Sequence, residues 1–385
     1  MRRIAVAERA DWRARADDLG FIFHTLDGKP YWDETAYWSF SLSEIERDLE
    51  DPTAELDDLC RLAVDRVIRD ERYLRALAIP EPAWGIVADS FRRGDPTLYG
   101  RMDFSYNGTG PAKLLEYNAD TPTALYETAV FQWHWLEDMK ALARLPADAD
   151  QFNSLHERLV TRFAELAGQG VLHLTAAPQS DEDRGTVAYV EECAREGGFA
   201  TQFIAVEDIG RDARGQLVDL ANKPIHRLFK LYPWEWLLRE EFGPTVASSR
   251  TGFLEPLWKA VVSNKGLLPV LWEMAPGHPN LLEAYFEDDP RATGLTSYAR
   301  KPILSREGAN ITLVMDGRTL ESGTGPYGGE GYVRQALAPL AESGGNHAVI
   351  GSWVIAGQPA GIGIREDESA ITRNTSRFVP HAIVG

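Results

Sequence analysis

The chain has 385 residues, 44% of them hydrophobic, and 58 acidic against 40 basic side chains give it a formal net charge of −18. That length holds more core than one ordinary domain needs, and that charge argues against a nucleic-acid binder, which needs basic surface to neutralise phosphates. Basic clusters in so acidic a chain read instead as local anion pockets.

Two cysteines, Cys60 and Cys193, lie far apart and suggest neither a disulfide framework nor a zinc site. The opening MRRIAVAERADWRARADD carries no apolar stretch of a secretory leader. No apolar run approaches the roughly 18 residues of a membrane span, so a cytoplasmic enzyme is expected. Residues 1–20 read as a helix rich in Arg, Ala and Asp. An aromatic segment then leads to Ser41 and Glu44, spaced as a capping box, and helical periodicity runs to about residue 78. Pro80 and Pro82 break it before a short helix in PAWGIVADSFRRG.

The stretch RMDFSYNGTGPAKLLEYNADTPT at 101–123 carries the most chemistry. Arg101, Asp103, Glu116, Asn118 and Asp120 interleave with Met102, Phe104, Leu114, Leu115 and Tyr117 close to period two, around an Asn-Gly turn signal. The pattern predicts a β-hairpin. Residues two apart in a strand share a face, so Asp103, Glu116 and Asn118 would surround one point with Arg101 beside them. That is a hard-cation site next to a bidentate phosphate clamp. The plain alternative is a solvated hairpin with a surface salt bridge. The alternation of acids with bulky apolar residues sets a half-buried sheet level with that alternative.

TALYETAVFQWHWLEDMKALARL reads next as an amphipathic helix, capped by Thr121 or Thr123, with its N-terminus aimed at the hairpin. His134 receives no chemistry. A helix over 151–169, a strand in GQGVLHLTAA, a helix after the acidic loop at 180–183 and a strand in FATQFIAVEDI alternate as in an α/β sheet. Asn264, Lys265 and Gly266 precede the apolar run LLPVLW. In ARKPILSREGANITLV, Lys301, Arg306 and Gly308 suit polyphosphate binding, Lys as point charge and Gly as a place where backbone N–H groups approach oxygens. ESGTGPYGGEG at 321–331 reads as a linker or a mobile flap, YVRQALAPL as a short helix, and VIGSWVIAGQPAGIGIRED as a hairpin.

RMDF followed by EYNADTPT resembles the signature of the glutathionylspermidine synthase family, in its ATP-grasp-like synthetase part. FLEPLWKAVVSNKGLLPVLWEMAPGHPNLLEAYF, YARKPILSREGANITLV, RLFKLYPWEW and GIGIREDESAI extend the likeness in the same order over nearly the whole chain. The resemblance implies an α/β (α+β) ATP-grasp-like fold with a pre-ATP-grasp-like lobe and a helical N-terminal layer, without the family's amidase domain. A soft division follows: 1–130 with the metal-binding hairpin, 131–250 as the substrate lobe, and 251–385 as the nucleotide lobe.

It also implies ATP and Mg²⁺ as cofactors of a carboxylate–amine ligation. Asp103, Glu116 and Asn118 would hold the metal, and Arg101, Arg306 and Arg365 would be catalytic. Lys265, Lys301, Glu307, Gly308, Gln335 and Ile371, with Arg101 and Asp103, would bind ATP. Thr121, Thr123, Glu182, Asp183 and Lys230 would meet the substrates, a glutathione-like peptide carboxylate and a polyamine or other amino compound. Two departures stand out. Arg373 and Arg377, with no acid after Glu368, occupy a tail that is acidic in the family, and Leu231 stands where the family has a hydroxyl residue. A non-catalytic nucleotide-binding protein and an ATP-dependent kinase or ATPase are the other readings of the same residues.

Overall fold

The computed structural model describes residues 1–26, 28–168, 170–177, 180–241, 243, 246 and 249–385, without the side chain of residue 181. Strand β1 (Arg2–Ala5) pairs antiparallel with β2 (Ala36–Phe40). The helix expected over residues 1–20 is therefore confined to Trp12–Asp18. An open strand edge claims Arg2–Ala5, and helix begins only where Trp12 and Ala16, one turn apart, share a buried face. The capping box forms: Ser41 Oγ accepts from the Glu44 amide, and the Glu44 carboxylate accepts from the Ser41 amide at 2.9 Å. Helices Asp51–Val67, Glu71–Ala76 and Trp84–Arg92 follow.

The expected hairpin is β3 (Tyr99–Ser105) and β4 (Lys113–Asn118). The helix after it opens with a wide turn at Glu127–Phe131 and continues as Gln132–Ala141. It is not a two-faced surface helix, because Phe131, Trp135 and Met139 are buried together with Glu127, Thr128 and Gln132. The helix placed at 151–169 spans Leu155–Leu166; residue 169, which that helix and the next strand were expected to include, lies outside the described residues.

The α/β alternation yields β5 (Val171–Ala176), helix Asp181–Glu196, β6 (Ala200–Phe203), β7 (Arg227–Leu231) and β8 (Gly252–Leu254). They form a parallel sheet in the order β8-β7-β5-β6. The acidic loop at 180–183 is the first turn of its helix, capped by Ser180 Oγ on the Asp183 amide at 3.1 Å.

β9 (Ala284–Phe286), β10 (Tyr298–Pro302), β11 (Thr312–Met315), β12 (Arg318–Ser322) and β13 (Tyr332–Ala336) make an antiparallel sheet ordered β9-β13-β10-β11-β12. The short helix expected in YVRQALAPL is thus a strand. Val333 and Gln335 alternate inward, and β13 is paired on both edges. Finally β14 (Asn346–Ile355) and β15 (Gln358–Asp367) form the expected hairpin, turning at Ala356 and Gly357, both at positive φ. With β16 (Arg377–Val379) they complete a central sheet ordered β16-β15-β14-β3-β4, with Ala341–Ser343 also paired to β14.

The central sheet thus joins strands from residues 99–118 to strands from 346–379 and has two unlike faces. Met102, Phe104, Leu114, Tyr117, Ile350 and Ile362 pack into the main core beside helices Asp51–Val67 and Leu267–Met274. The opposite face carries Arg101, Asp103, Glu116, Asn118 and Arg365.

Candidate active site

The register of the hairpin sets the site. Arg101 stands opposite Asn118, and Asp103 opposite Glu116. On the other side β14 places Gly351 against Asp103, and β15 places Gly363 against Gly351. These glycines leave a shallow trough in the sheet. A Cβ on Gly351 would lie 2.6 Å from Arg101 Cδ, so only a bare backbone lets the arginine lie flat across the strand.

Arg101 grips Asp103 with both prongs, Nε to Oδ1 at 2.6 Å and Nη2 to Oδ2 at 3.0 Å, and its Nη1 donates to the Thr123 carbonyl at 2.7 Å. Asn118 Nδ2 donates to both Asp103 Oδ2 and Glu116 Oε1 at 3.1 Å. Lys265 Nζ sits 2.8 Å from Glu116 Oε2. Burial opposes charge on Glu116, yet Lys265 and Lys301 hold its carboxyl down to about 2. Lys301 Nζ donates to Gln335 Oε1 at 2.7 Å and to the Leu115 carbonyl at 2.9 Å, and burial pulls its pKa down to about 8.

Two carboxylates across one hairpin, with an amide beside them, suit Mg²⁺, which takes one or two carboxylates and completes its shell with phosphate and water. Asn118 presents its NH₂ to the acids here; turning the amide over would present its oxygen. Among the described residues no group of three or more His, Cys, Asp or Glu side chains is placed to hold a metal. A metal here would rest on Asp103, Glu116 and the Asn118 amide, with phosphate.

A cavity of about 300 Å³ opens from these residues. Asp103, Glu116, Lys301 and Gln335 line its polar end, and Leu313 and Ile371 are among its apolar walls. Gly308, at φ +71°, also borders it; a Cβ there would lie 2.6 Å from both Ile371 Cγ2 and the Thr372 carbonyl oxygen. The turn through Arg306, Glu307 and Gly308 thus needs a residue without a side chain to close over Ile371.

Arg306 and Arg365 approach from other directions. Arg306 Nη2 donates to Thr121 Oγ1 at 2.7 Å, and its Nη1 lies 3.5 Å from Glu235. Arg365 Nη2 donates to the carbonyls of Arg373, Asn374 and Ser376. Glu182 and Asp183 share this space. Burial raises the pKa of both carboxyls, Arg365 working against it at Glu182 and Arg306 at Asp183. Thr121 and Thr123 anchor arginines here; neither makes the helix cap expected of them.

Lys230 does not join them. It is fully buried, 2.5 Å from Asp120, which also accepts from the Trp234 amide. Its expected substrate contact is replaced by an internal ion pair, because β7 points it into the core. The tail arginines are also committed. Arg373 pairs with Glu321 at 2.8 Å, and Arg377 lies 3.4 Å from Asp33 and 3.7 Å from Glu366. Sequence reasoning missed Glu127, a wholly buried acid that accepts from Tyr31 Oη at 2.7 Å and whose Oε2 has no partner among the described residues. Burial and then nearby Glu182 push its pKa up to about 7. A glutamate among apolar helix neighbours was the available signal.

Compared with known proteins, the sequence matches the family described as "Glutathionylspermidine synthase preATP-grasp" over residues 3–384. A provisionally named acid–amine ligase of Haemophilus influenzae is 39% identical, across 98% of this chain and 98% of that protein. The trypanothione synthetase of Crithidia fasciculata is 30% identical across 84% of this chain and 53% of its own length. The bifunctional glutathionylspermidine synthetase/amidase of Escherichia coli is 27% identical across 97% of this chain and 63% of its own length. The chain therefore spans less than two thirds of each of the last two proteins.

Proposed function

The chain belongs to the glutathionylspermidine synthase preATP-grasp family, whose members are ATP-dependent acid–amine ligases, and from that premise we propose how its residues divide the reaction. A substrate carboxylate oxygen attacks the γ-phosphorus of ATP, and the bond to the ADP oxygen breaks. The resulting acyl phosphate is attacked at its carbonyl carbon by an amine, an amide forms, and phosphate leaves with the amine's proton lost to solvent or a nearby base.

Such chemistry crowds negative charge, so its catalysis is largely the placement of cations. Arg101, with Arg306 and Arg365, is assigned to the transferring phosphoryl and the acyl phosphate. Lys265 and Lys301 are assigned to the nucleotide phosphates, and the apolar cavity beside Ile371 and Gln335 to the adenine. Asp103, Glu116 and Asn118 would hold Mg²⁺, which when bound offsets phosphate charge. Glu182 and Asp183 would draw the amine as its ammonium form. The acid is read as a small peptide carboxylate and the amine as a polyamine or related compound, since the two longer relatives carry glutathionylspermidine and trypanothione in their names. With Arg373 and Arg377 neutralised by acids, the tail presents no unpaired cation to repel such an amine.

One observation carries this reading: Asp103, Glu116 and Lys301 line the polar end of an apolar cavity, with Arg101 bidentate on Asp103 and Lys265 on Glu116 behind them. The experiment is ADP release from Mg-ATP with mass spectrometry of the products, using glutathione with spermidine and, separately, a mixture of peptides, amino acids and amines. An amide formed in step with ADP supports the proposal. A phosphorylated small molecule as the end product would make the protein a kinase, and absence of ADP under every condition would overturn the ligase reading.

A further inference from the structure

A basic cluster away from the hairpin lies at the open edge of the parallel sheet. A cavity of about 440 Å³ runs along β8, bounded by the Trp84–Arg92 helix and the start of β7. Its size is that of a small-molecule site. Arg93, Arg227 and Arg250 line it, against the single carboxylate of Asp95. In a chain of net charge −18, three guanidiniums around one hollow is a marked local excess. The remaining wall is largely apolar, including Phe199 and Phe253.

The arginines are unequally spent. Arg93 is paired with Asp95 at 2.7 Å. Arg227 gives Nη1 to the Leu166 carbonyl and rests with its guanidinium carbon 5.4 Å from the Phe199 ring centre, keeping further N–H donors. Arg250 forms no ion pair among the described residues. Ser90 adds a second, independent sign. It is 1% exposed and lines the cavity, and its Oγ has no hydrogen-bond partner among the described residues.

The cavity is separate from the reaction face. It meets β7 at Arg227, the strand's first residue, and shares no lining residue with the 300 Å³ cavity beside Asp103 and Glu116. Its wall nevertheless continues into the hairpin: Glu255, next after Leu254, accepts from the Leu98 and Tyr99 amides at 2.9 Å, just before Arg101.

We propose that this cavity is a second binding site, for a small amphiphilic monoanion whose acid group lies among Arg227, Arg250 and Ser90 and whose hydrocarbon or aromatic body covers Phe199 and Phe253. Apolar walls with a few convergent donors are what such a ligand requires, and an arginine fork matches a carboxylate better than any neutral group does. The inference rests on neither the nucleotide nor the ligase reading.

The test is calorimetric titration of the full chain with octanoate, and with octylammonium and octan-1-ol as a cation and a neutral molecule of equal length. Octanoate should bind saturably at one site, the two controls at least about tenfold more weakly, and Arg250→Gln and Ser90→Ala should each weaken octanoate, Arg250→Gln by about tenfold. Circular dichroism checks that both variants keep the wild-type melting temperature. Saturating Mg-ATP should leave octanoate binding unchanged. Equal binding of all three compounds, indifference to both substitutions, or displacement by Mg-ATP would each overturn the proposal.

Discussion

Two short ion pairs in this molecule have opposite surroundings. Lys230 and Asp120 meet at 2.5 Å with side chains 0% and 1% exposed. The ammonium also donates to the Tyr232 carbonyl and sits 4.3 Å from the Trp234 ring centre, while the second carboxylate oxygen takes the Trp234 amide. Both carboxylate oxygens are engaged, and the pair ties β7 to the chain just after the hairpin. Arg101 and Asp103 are equally close, but Asp103 lines the 300 Å³ cavity and more charged groups of both signs crowd around them. A short ion pair alone therefore does not mark a reacting centre. What distinguishes one is charge that opens onto a cavity and is held by partners a substrate can replace.

The comparison can be broken by mutation. The largest effect on stability is expected for Lys230→Met, which leaves Asp120 buried and unpaired. Urea unfolding should show a loss of about 3–5 kcal/mol, and a loss near zero would mean the pair is dispensable. Arg101→Ala should do the reverse. Turnover should fall by about a thousandfold, the scale of removing one preorganised cationic donor, while the folded state persists by circular dichroism. Wild-type turnover would remove Arg101 from the chemistry.

Glu127 sharpens the contrast through pH. Its pKa is raised to about 7 by burial and then Glu182, so the folded protein holds this proton more tightly than the unfolded chain does. The stabilisation is present at low pH and is lost as pH rises from the ordinary carboxyl value through about 7. Glu127→Gln keeps an acceptor for Tyr31 and has no proton to lose. Relative to wild type it should gain about 3 kcal/mol between pH 4.5 and pH 8 in urea unfolding; parallel pH curves would contradict the assignment. Gly351→Ala tests the trough. The added methyl should displace Arg101 and lower turnover about tenfold or more at a stability cost of about 1 kcal/mol, and unchanged kinetics would show that the arginine has room to spare. The smallest effect belongs to Lys301. Because burial lowers its pKa to about 8, it loses charge in weakly alkaline solution. Titration with a non-hydrolysable Mg-ATP analogue should show several-fold weaker binding at pH 9 than at pH 7, a difference that Lys301→Met should abolish.

The charged face of the hairpin was legible in the sequence because its alternation is local. Period-two alternation puts Arg101 with Asp103 on one strand face and Glu116 with Asn118 on the next, whereas the register that sets Asp103 opposite Glu116, across the connection 106–112 and a bulge, emerges only in the folded hairpin. The box at Ser41 and the hairpin through Gly357 are local in the same way. What escaped depended on distant partners. Arg2–Ala5 and Tyr332–Ala336 are strands because neighbouring edges accept them, in the first case through pairings such as Ala5 with Ala36. Lys230 looked available for substrate because only the folded chain reveals Asp120, 110 residues earlier, against it. Glu127 carried only the hint of an acid among apolar helix neighbours, and nothing near it in sequence announces the Tyr31 hydroxyl. The residues bounding the 440 Å³ cavity come from five separated stretches and share no local pattern.

The central claim is that carboxylate activation occurs on the hairpin face, and hydroxylamine trapping tests it most directly. Wild-type protein given Mg-ATP, the acid substrate mixture and hydroxylamine in place of the amine should release ADP and an equal amount of hydroxamate, and Arg101→Ala should release neither at a comparable rate. ADP without hydroxamate, or hydroxamate formed undiminished by Arg101→Ala, would contradict it.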